Sequence, residues 1–245
     1  MFKENLAAVI DLCFPKNCHV CRRLLKDRIS AFDEHLCGEC TQKLKKTSLW
    51  VCLLCAEDLH TPQEFLMRLC RRCRETPPAQ QRLRSCYVYE EPARTLIHQL
   101  KYAGRAYLAT SVAALMLEAL TQLGDECLNQ TDLLTFVPLH PARFREREFN
   151  QAELIAEALG RYTHKPVLST LKRIRPTRPQ ASLSRQERLS NVRGVFQALS
   201  CDLIKDKNLV LIDDIVTTGA TVAEASAALK KSGAGHIVVL TFTRD

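Results

Sequence analysis

A chain of 245 residues can hold one or two domains with their own cores. No apolar run approaches the ~20 residues needed to span a bilayer, and the N-terminal MFKENLAAVIDLCF, broken by Asp11 and lacking a small-residue cleavage site, does not read as a secretory signal. No transmembrane segment and a cytoplasmic location are therefore expected. The formal charge is +8, and +7 of it falls between Pro138 and Phe196, where twelve Lys plus Arg face five Glu; such a concentration suits a polyanion, either nucleic acid or a pyrophosphate-bearing substrate.

Residues 1–17 read as a short amphipathic helix with Phe2, Leu6, Val9, Ile10 and Cys13 on one face, ended by Pro15. Its expected role is packing.

The chain has twelve cysteines, which a reducing compartment would keep as thiols and which argue for metal rather than disulfides. Eight of them form four C-x2-C pairs: Cys18 and Cys21, Cys37 and Cys40, Cys52 and Cys55, Cys70 and Cys73, separated by fifteen, eleven and fourteen residues. Each C-x2-C turn points two thiolates at one metal, and two turns complete a closed tetrahedral site, so two structural Zn2+ ions are expected. The near-equal outer gaps suggest a tandem repeat, a double zinc ribbon; an interleaved pairing, first with third and second with fourth, satisfies the same count. Large apolar residues are few here, and metal binding, worth roughly 10–16 kcal/mol in zinc-finger peptides, supplies the folding energy instead. His19, His35 and His60 lie near the pairs, but four complete pairs need no substitute ligand. Cys13, Cys86, Cys127 and Cys201 are isolated and read as ordinary thiols.

ETPPAQQRLR, from Glu75 to Arg84, has a Pro pair and no periodicity, which gives a zinc-binding domain over 1–75, a linker over 76–84 and an α/β domain over 85–245. Within the last, Ser85 to Tyr89 alternates like a strand, Glu91-Pro92 turns, and Ala93 to Tyr102 forms a helix with Lys101 at its end. Ala106 to Leu123 follows as a long buried helix closed by Gly124. Residues 133–139 are a buried strand. HPARFREREFNQ then reads as a cationic loop carrying Arg143, Arg145 and Arg147, with Phe144 and Phe149 available to stack bases. Gln151 to Tyr162 returns to helical periodicity with Leu154, Ile155, Ala158 and Leu159 inward. Residues 167–174 read as a strand. The polar stretch 175–195 has two Pro, five Arg and no apolar stripe, so it reads as a lid over a bound anion.

The last unit is KNLVLIDDIVTTGATVAEASAALK. Leu209 to Ile212 is a buried strand, Asp213 and Asp214 stand in the loop at its carboxyl end, and Thr217-Thr218-Gly219-Ala220-Thr221 opens a helix. An open parallel sheet binds ligands at that place. Unsatisfied N–H groups at the positive end of a helix dipole cradle a phosphate, threonine hydroxyls add donors, and carboxylates accept hydrogen bonds from sugar hydroxyls or face Mg2+. Phosphate plus diol describes a phosphorylated ribose. His236 to Thr243 is a final strand closing the sheet. The order strand, basic loop, helix of residues 133–162 recurs at 209–231, which predicts a βαβ array with a parallel sheet.

VLIDDIVTTGAT closely resembles the 5-phosphoribosyl-1-pyrophosphate (PRPP) motif of type I phosphoribosyltransferases. With LIHQLKYAGR, VPLHPARFREREFNQAELIA, RPTRPQASLSRQERLSNVRGVF and the four Cys pairs, the whole chain is similar to the ComF family of competence-associated, phosphoribosyltransferase-like proteins. The resemblance implies a role in natural transformation, in the uptake of single-stranded DNA, with competence helicase or other uptake proteins as partners. It also implies that Asp213 and Asp214 take the ribose hydroxyls. Thr217, Thr218, Gly219 and Thr221 would hold the 5-phosphate, with amides from Val216 and Ala220; Lys101 would belong to the PRPP site and reach the pyrophosphate, Arg143, Arg145 and Arg147 would be pyrophosphate or DNA ligands, and Mg2+ would accompany PRPP. The family's Arg-Gly-Phe-Asn reads Arg147-Glu148-Phe149-Asn150 here, which places an acid beside the anion site. A true phosphoribosyltransferase is the alternative. No catalytic residue or nucleobase pocket is evident, so PRPP binding is expected before transfer.

Overall fold

A computed structural model describes residues 16–25, 35–102, 104–122, 124, 126–178, 184–199 and 201–245. The helix expected over residues 1–17 lies almost wholly outside these residues.

Among the described residues, the Cys-rich segment contains little regular structure. Its helices are α1 (Gly38–Gln42), α2 (Pro62–Met67) and α3 (Arg71–Glu75). Thr61 and Glu64 form a capping box at the start of α2, which satisfies two otherwise orphaned amides. Strand β1 (Arg82–Val88) begins inside the stretch expected as linker. The reason is pairing: Leu83 N donates to Leu53 O at 2.7 Å on one side, while Arg82 to Val88 run parallel to the last strand on the other.

Helices α4 (Ala93–Tyr102) and α5 (Leu108–Gln122) follow, then β2 (Leu133–Phe136), α6 (Pro141–Arg147) and α7 (Gln151–Thr163). The segment read as a cationic loop is thus mostly helix. His140 Nδ1 accepts from Ala142 N at 3.2 Å and Pro141 takes the first helical turn, a start signal that the alternating charges obscure. In α7, a Cβ on Gly160 would meet Val167 Cγ2 at 2.5 Å, so the missing side chain lets the next segment cross the helix closely.

The region read as a lid also contains regular structure. Strands β3 (Leu171–Arg173) and β4 (Phe196–Ala198) pair antiparallel and bracket helix α8 (Arg185–Val192). Ser184 and Glu187 form the capping box of α8; with no apolar stripe, this S-x-x-E is its main sequence signal. The flap rests on the body through Gly194 N, which donates to Glu224 Oε1 at 2.6 Å. After α9 (Cys201–Ile204) come β5 (Leu209–Val216), α10 (Ala220–Lys231) and β6 (Ile237–Arg244).

The main sheet is parallel, in the order β1-β6-β5-β2. Strand β6, expected to close the sheet, is an inner strand with seven buried residues in succession, as both-sided burial demands. Asp213 and Asp214, expected in a loop, belong to β5 itself, and Asp213 is in register with Thr241. Alternation along β5 divides two cores. Val210 and Ile212 pack with α4, α5 and α7 on one face, and Leu209 and Leu211 pack with α10 and the flap on the other. The first core also contains Cys18, Leu36, Cys40 and Leu44, so the Cys-rich segment is joined to the sheet domain by burial as well as by β1.

Candidate phosphoribosyl site and metal centres

Alternation sends the two acids to opposite faces of the sheet. Asp214 follows Val210 and Ile212 toward α4, where Lys101 Nζ meets its Oδ2 at 2.5 Å, both side chains largely buried. Burial alone would pull the Lys101 pKa down; the Asp214 carboxylate and its hydrogen bond, helped by Asp213, more than offset this and raise it. Asp213 faces the flap. Burial, and then the adjacent Asp214 charge, push its pKa well above the ordinary carboxylate range, against a counter-pull from Asp214 N, which donates to Asp213 Oδ1 at 3.0 Å.

Arg173, at the end of β3, senses the charge of Asp213, and burial lowers its pKa. Its Nε is buried without a hydrogen-bond partner among the described residues, while Nη2 donates to Thr177 Oγ1 at 2.5 Å and the guanidinium lies 5.6 Å from the Phe196 ring centre. Sequence reasoning passed over this residue because it ends an unremarkable strand.

The turn after β5 follows the expected plan. Gly219, at φ +76°, is the N-cap of α10 and supplies no side-chain acceptor to the first-turn amides. Thr218 Oγ1 accepts from Ala220 N at 3.4 Å. Val216 and Ala220 are buried beneath the turn. Amides at the positive end of a twelve-residue helix form an anion cradle.

The three arginines of α6 part company. Arg143 and Arg147 are four residues apart and share a helix face, whereas Arg145 points away and is exposed. Arg147 Nη1 donates to Gln151 Oε1 at 3.0 Å, and its charge reaches Lys101. Arg143 pairs with Glu146 at 2.8 Å and senses Arg173. A cavity of about 320 Å³ is lined by Lys101, Gly104, Glu146, Arg147 and Glu148. Glu148 adopts φ +66°, the left-handed conformation, so the family's glycine position keeps a glycine-like backbone while presenting a carboxylate. Phe144 is exposed as a stacking residue must be; Phe149 packs against the core instead.

A second cavity, about 220 Å³, joins the turn to the Cys-rich segment through Thr217, Thr218, Arg188, Arg244, Arg72 and Cys55. Ion pairs close its rim: Arg72 with Glu57 at 3.2 Å and Arg244 with Asp58 at 3.5 Å. A larger cavity of about 570 Å³ lies at the opposite end of the strands, beside Arg82, Asn208 and His236, away from this chemistry.

The eight paired cysteines fall into two groups, Cys18, Cys21, Cys37, Cys40 and Cys52, Cys55, Cys70, Cys73, with all Sγ atoms of a group within 4.8 Å of one another. The pairing is therefore sequential. Sγ separations of 3.6 Å for Cys21–Cys37 and 3.7 Å for Cys55–Cys70 are far beyond a disulfide bond and close to the edge, about 3.8 Å, of a tetrahedron with Zn–S bonds of about 2.3 Å. Both groups fit a zinc ion. The histidines nearby stay out of them: the His19 ring packs against His35 and Tyr107.

A parallel α/β sheet bearing an acid-rich strand end, preceded by two four-cysteine groups, defines the class. No protein-family model matches the chain. DNA utilization protein YhgH of Escherichia coli K12 is 34% identical over 214 residues, covering 85% of this chain and 90% of that one. Competence protein F of Haemophilus influenzae is 28% identical over 212 residues, covering 85% and 90%, and competence protein ComFC of Bacillus subtilis 29% over 208 residues, covering 82% and 80%. The chain belongs to the ComF family. Solved structures that align with it include an allosteric regulatory enzyme of purine biosynthesis (22% identity, 45% of this chain and 21% of that one, TM-score 0.31) and TT1426 from Thermus thermophilus (18%, 54% and 71%, TM-score 0.31). Among the described residues no helix is long and apolar enough to cross a membrane.

Proposed function

We propose that this protein handles single-stranded DNA during natural transformation and carries a pocket for a phosphoribosyl group of the PRPP type. One observation carries the reading: the acids at the end of β5 adjoin an anion-cradling turn and meet cations, Asp214 pairing with Lys101 and Asp213 lying within electrostatic reach of Arg173, while Arg147 reaches Lys101 and Arg143 reaches Arg173. The turn from Val216 to Thr221 takes the 5-phosphate, Asp213 and Asp214 take the ribose hydroxyls, and the cavity beside Lys101 and Arg147 takes the pyrophosphate. Mg2+, when bound, would neutralise charge on the pyrophosphate, and the carboxylates at the end of β5 are the groups that could face it. The relatives' names, DNA utilization and competence protein, support the DNA part.

Residues 1–75 would form a zinc-stabilised unit and 85–245 the phosphoribosyltransferase-like unit. Transfer chemistry would need an acceptor beside the ribose. The sequence offers no evident nucleobase pocket for such an acceptor, so binding rather than transfer is the reading adopted.

Titration calorimetry with PRPP and Mg2+, in the absence and presence of a single-stranded oligonucleotide, tests it. Binding lost in Asp213→Ala and altered by the oligonucleotide is expected. No heat from PRPP in the intact protein overturns the pocket, and pyrophosphate release in the presence of a nucleobase or DNA end replaces this reading with the enzyme.

A further inference from the structure

The second zinc-binding segment presents an apolar surface that the pocket does not use. Leu49, Trp50, Phe65, Leu66 and Met67 are all exposed, Trp50 by 63% and Leu66 by 86%. They come from two segments, the bend at Leu49 and Trp50 and helix α2, and the rings of Trp50 and Phe65 stand edge to face with centroids 5.9 Å apart. Five large apolar side chains left in water on one small metal-stabilised unit form an interaction site.

The charges around this patch identify its occupant. Each acid of the segment faces inward or is already paired. Glu64 is buried and accepts from the amides of His60, Thr61 and Arg71. Glu75 pairs with Arg71, Glu57 with Arg72 and Asp58 with Arg244. Two arginines at the edge of the patch have no carboxylate partner among the described residues. Arg68 Nη2 donates to Leu49 O at 2.9 Å, and Arg74 Nη1 lies 3.9 Å from Met67 Sδ. The result is a pair of accessible aromatic rings bordered by guanidinium groups without a carboxylate partner among the described residues, the segment's acids being buried or paired with other arginines. Aromatic faces stack unpaired bases of any sequence, and the guanidinium groups meet the phosphates between them.

We propose that Trp50 and Phe65, with Arg68 and Arg74, form a stacking platform for single-stranded DNA. Helix α3 connects it to the pocket: Arg74 borders the platform, and Arg72, two residues earlier, lines the cavity that reaches Thr217 and Thr218. A strand seated on the rings is thereby held by the same small unit that adjoins the phosphate turn. The proposal rests on the DNA-handling function above.

Trp50 is the sole tryptophan, so its fluorescence reports on the platform directly in the full-length protein. Titration with dT20 should quench it, with a midpoint that moves to higher DNA concentration as salt rises. Trp50→Ala and Phe65→Ala, followed by fluorescence anisotropy of labelled dT20, should each weaken binding about ten-fold. Both variants should keep two metals by native mass spectrometry and bind PRPP unchanged, which excludes misfolding. If the intact protein binds dT20 with unquenched Trp50 and the two variants bind as tightly as it does, the platform is wrong and the DNA function stands. If the intact protein does not bind dT20, the DNA function itself fails. A blue shift of Trp50 emission on anionic lipid vesicles without a response to dT20, or a dimer that Trp50→Ala dissociates, assigns the patch to a membrane or a second copy and overturns the proposal.

Discussion

Asp213 is held in a state that favours its neutral form, because burial and the Asp214 charge both oppose ionisation. A carboxyl whose folded-state pKa lies above its unfolded value takes up a proton on folding. Its contribution to stability is fully present below about pH 4, the unfolded value, and is lost as pH rises toward the folded value. At neutral pH folding must therefore either protonate this side chain or hold its charge in an unfavourable place, and in both cases Asp213 costs the empty protein stability. Asp213→Asn should raise the stability of the empty protein by roughly 1 kcal/mol or more at about pH 8, with a smaller gain at about pH 5.5. Thermal melts at the two pH values check this, and a variant less stable than the parent at the higher pH contradicts it. The same substitution should weaken PRPP binding, the exchange of function for stability common at such sites.

Helix α6 shows how an element sets the direction of its charged side chains. It turns Arg143 and Arg147 to one side and Arg145 to the other, and it ends on Glu148 in the left-handed region. That conformation costs a residue with a side chain about 1–2 kcal/mol, while glycine would lose about 0.5–1 kcal/mol more backbone entropy on folding. Glu148→Gly should therefore stabilise the protein by about 0.5 kcal/mol, seen as a higher denaturant midpoint at unchanged slope. It should also tighten pyrophosphate binding, because a carboxylate leaves the cavity shared with Lys101 and Arg147. Weaker anion binding in the variant would show that Glu148 contributes a ligand rather than repulsion. Helix α8 is set by its Ser184–Glu187 capping box and by contact with α10 instead of an apolar stripe, so hydrophobic periodicity is blind to it.

At the scale of the molecule, the two four-cysteine groups and the sheet form one connected structure. Cys18 and Cys40 pack in the same core as Leu96 and Leu100, and the second group meets the Thr217–Thr218 turn through Arg72. Native mass spectrometry should find two zinc ions per chain. Replacing Cys18 and Cys37 together by serine should remove one ion and leave the other, since both belong to one group; loss of both would restore the interleaved pairing. A chelator should lower the unfolding temperature of the whole protein, because loss of a structural metal removes folding energy from a segment that covers the shared core.

Much of this protein is legible locally. The C-x2-C turns, the apolar run of β5, the Thr-Gly turn opening α10 and helix α4 are all read from neighbouring residues, because backbone preference and alternation act over a few positions. Alternation even implies that Asp213 and Asp214 part to opposite faces once both are known to lie within β5. What each acid meets is another matter. Lys101 reaches Asp214, Arg173 approaches Asp213 and Arg72 arrives beside Thr217 only because β5 lies between β6 and β2, with α4 on one face and the flap on the other. The choice between sequential and interleaved cysteine pairing is of the same kind. The sequence by itself determined the chemistry carried at each strand end and each turn. The tertiary structure decided which charges and thiols meet, because such contacts depend on strand order and on which face each helix covers, and no short stretch of chain carries that information.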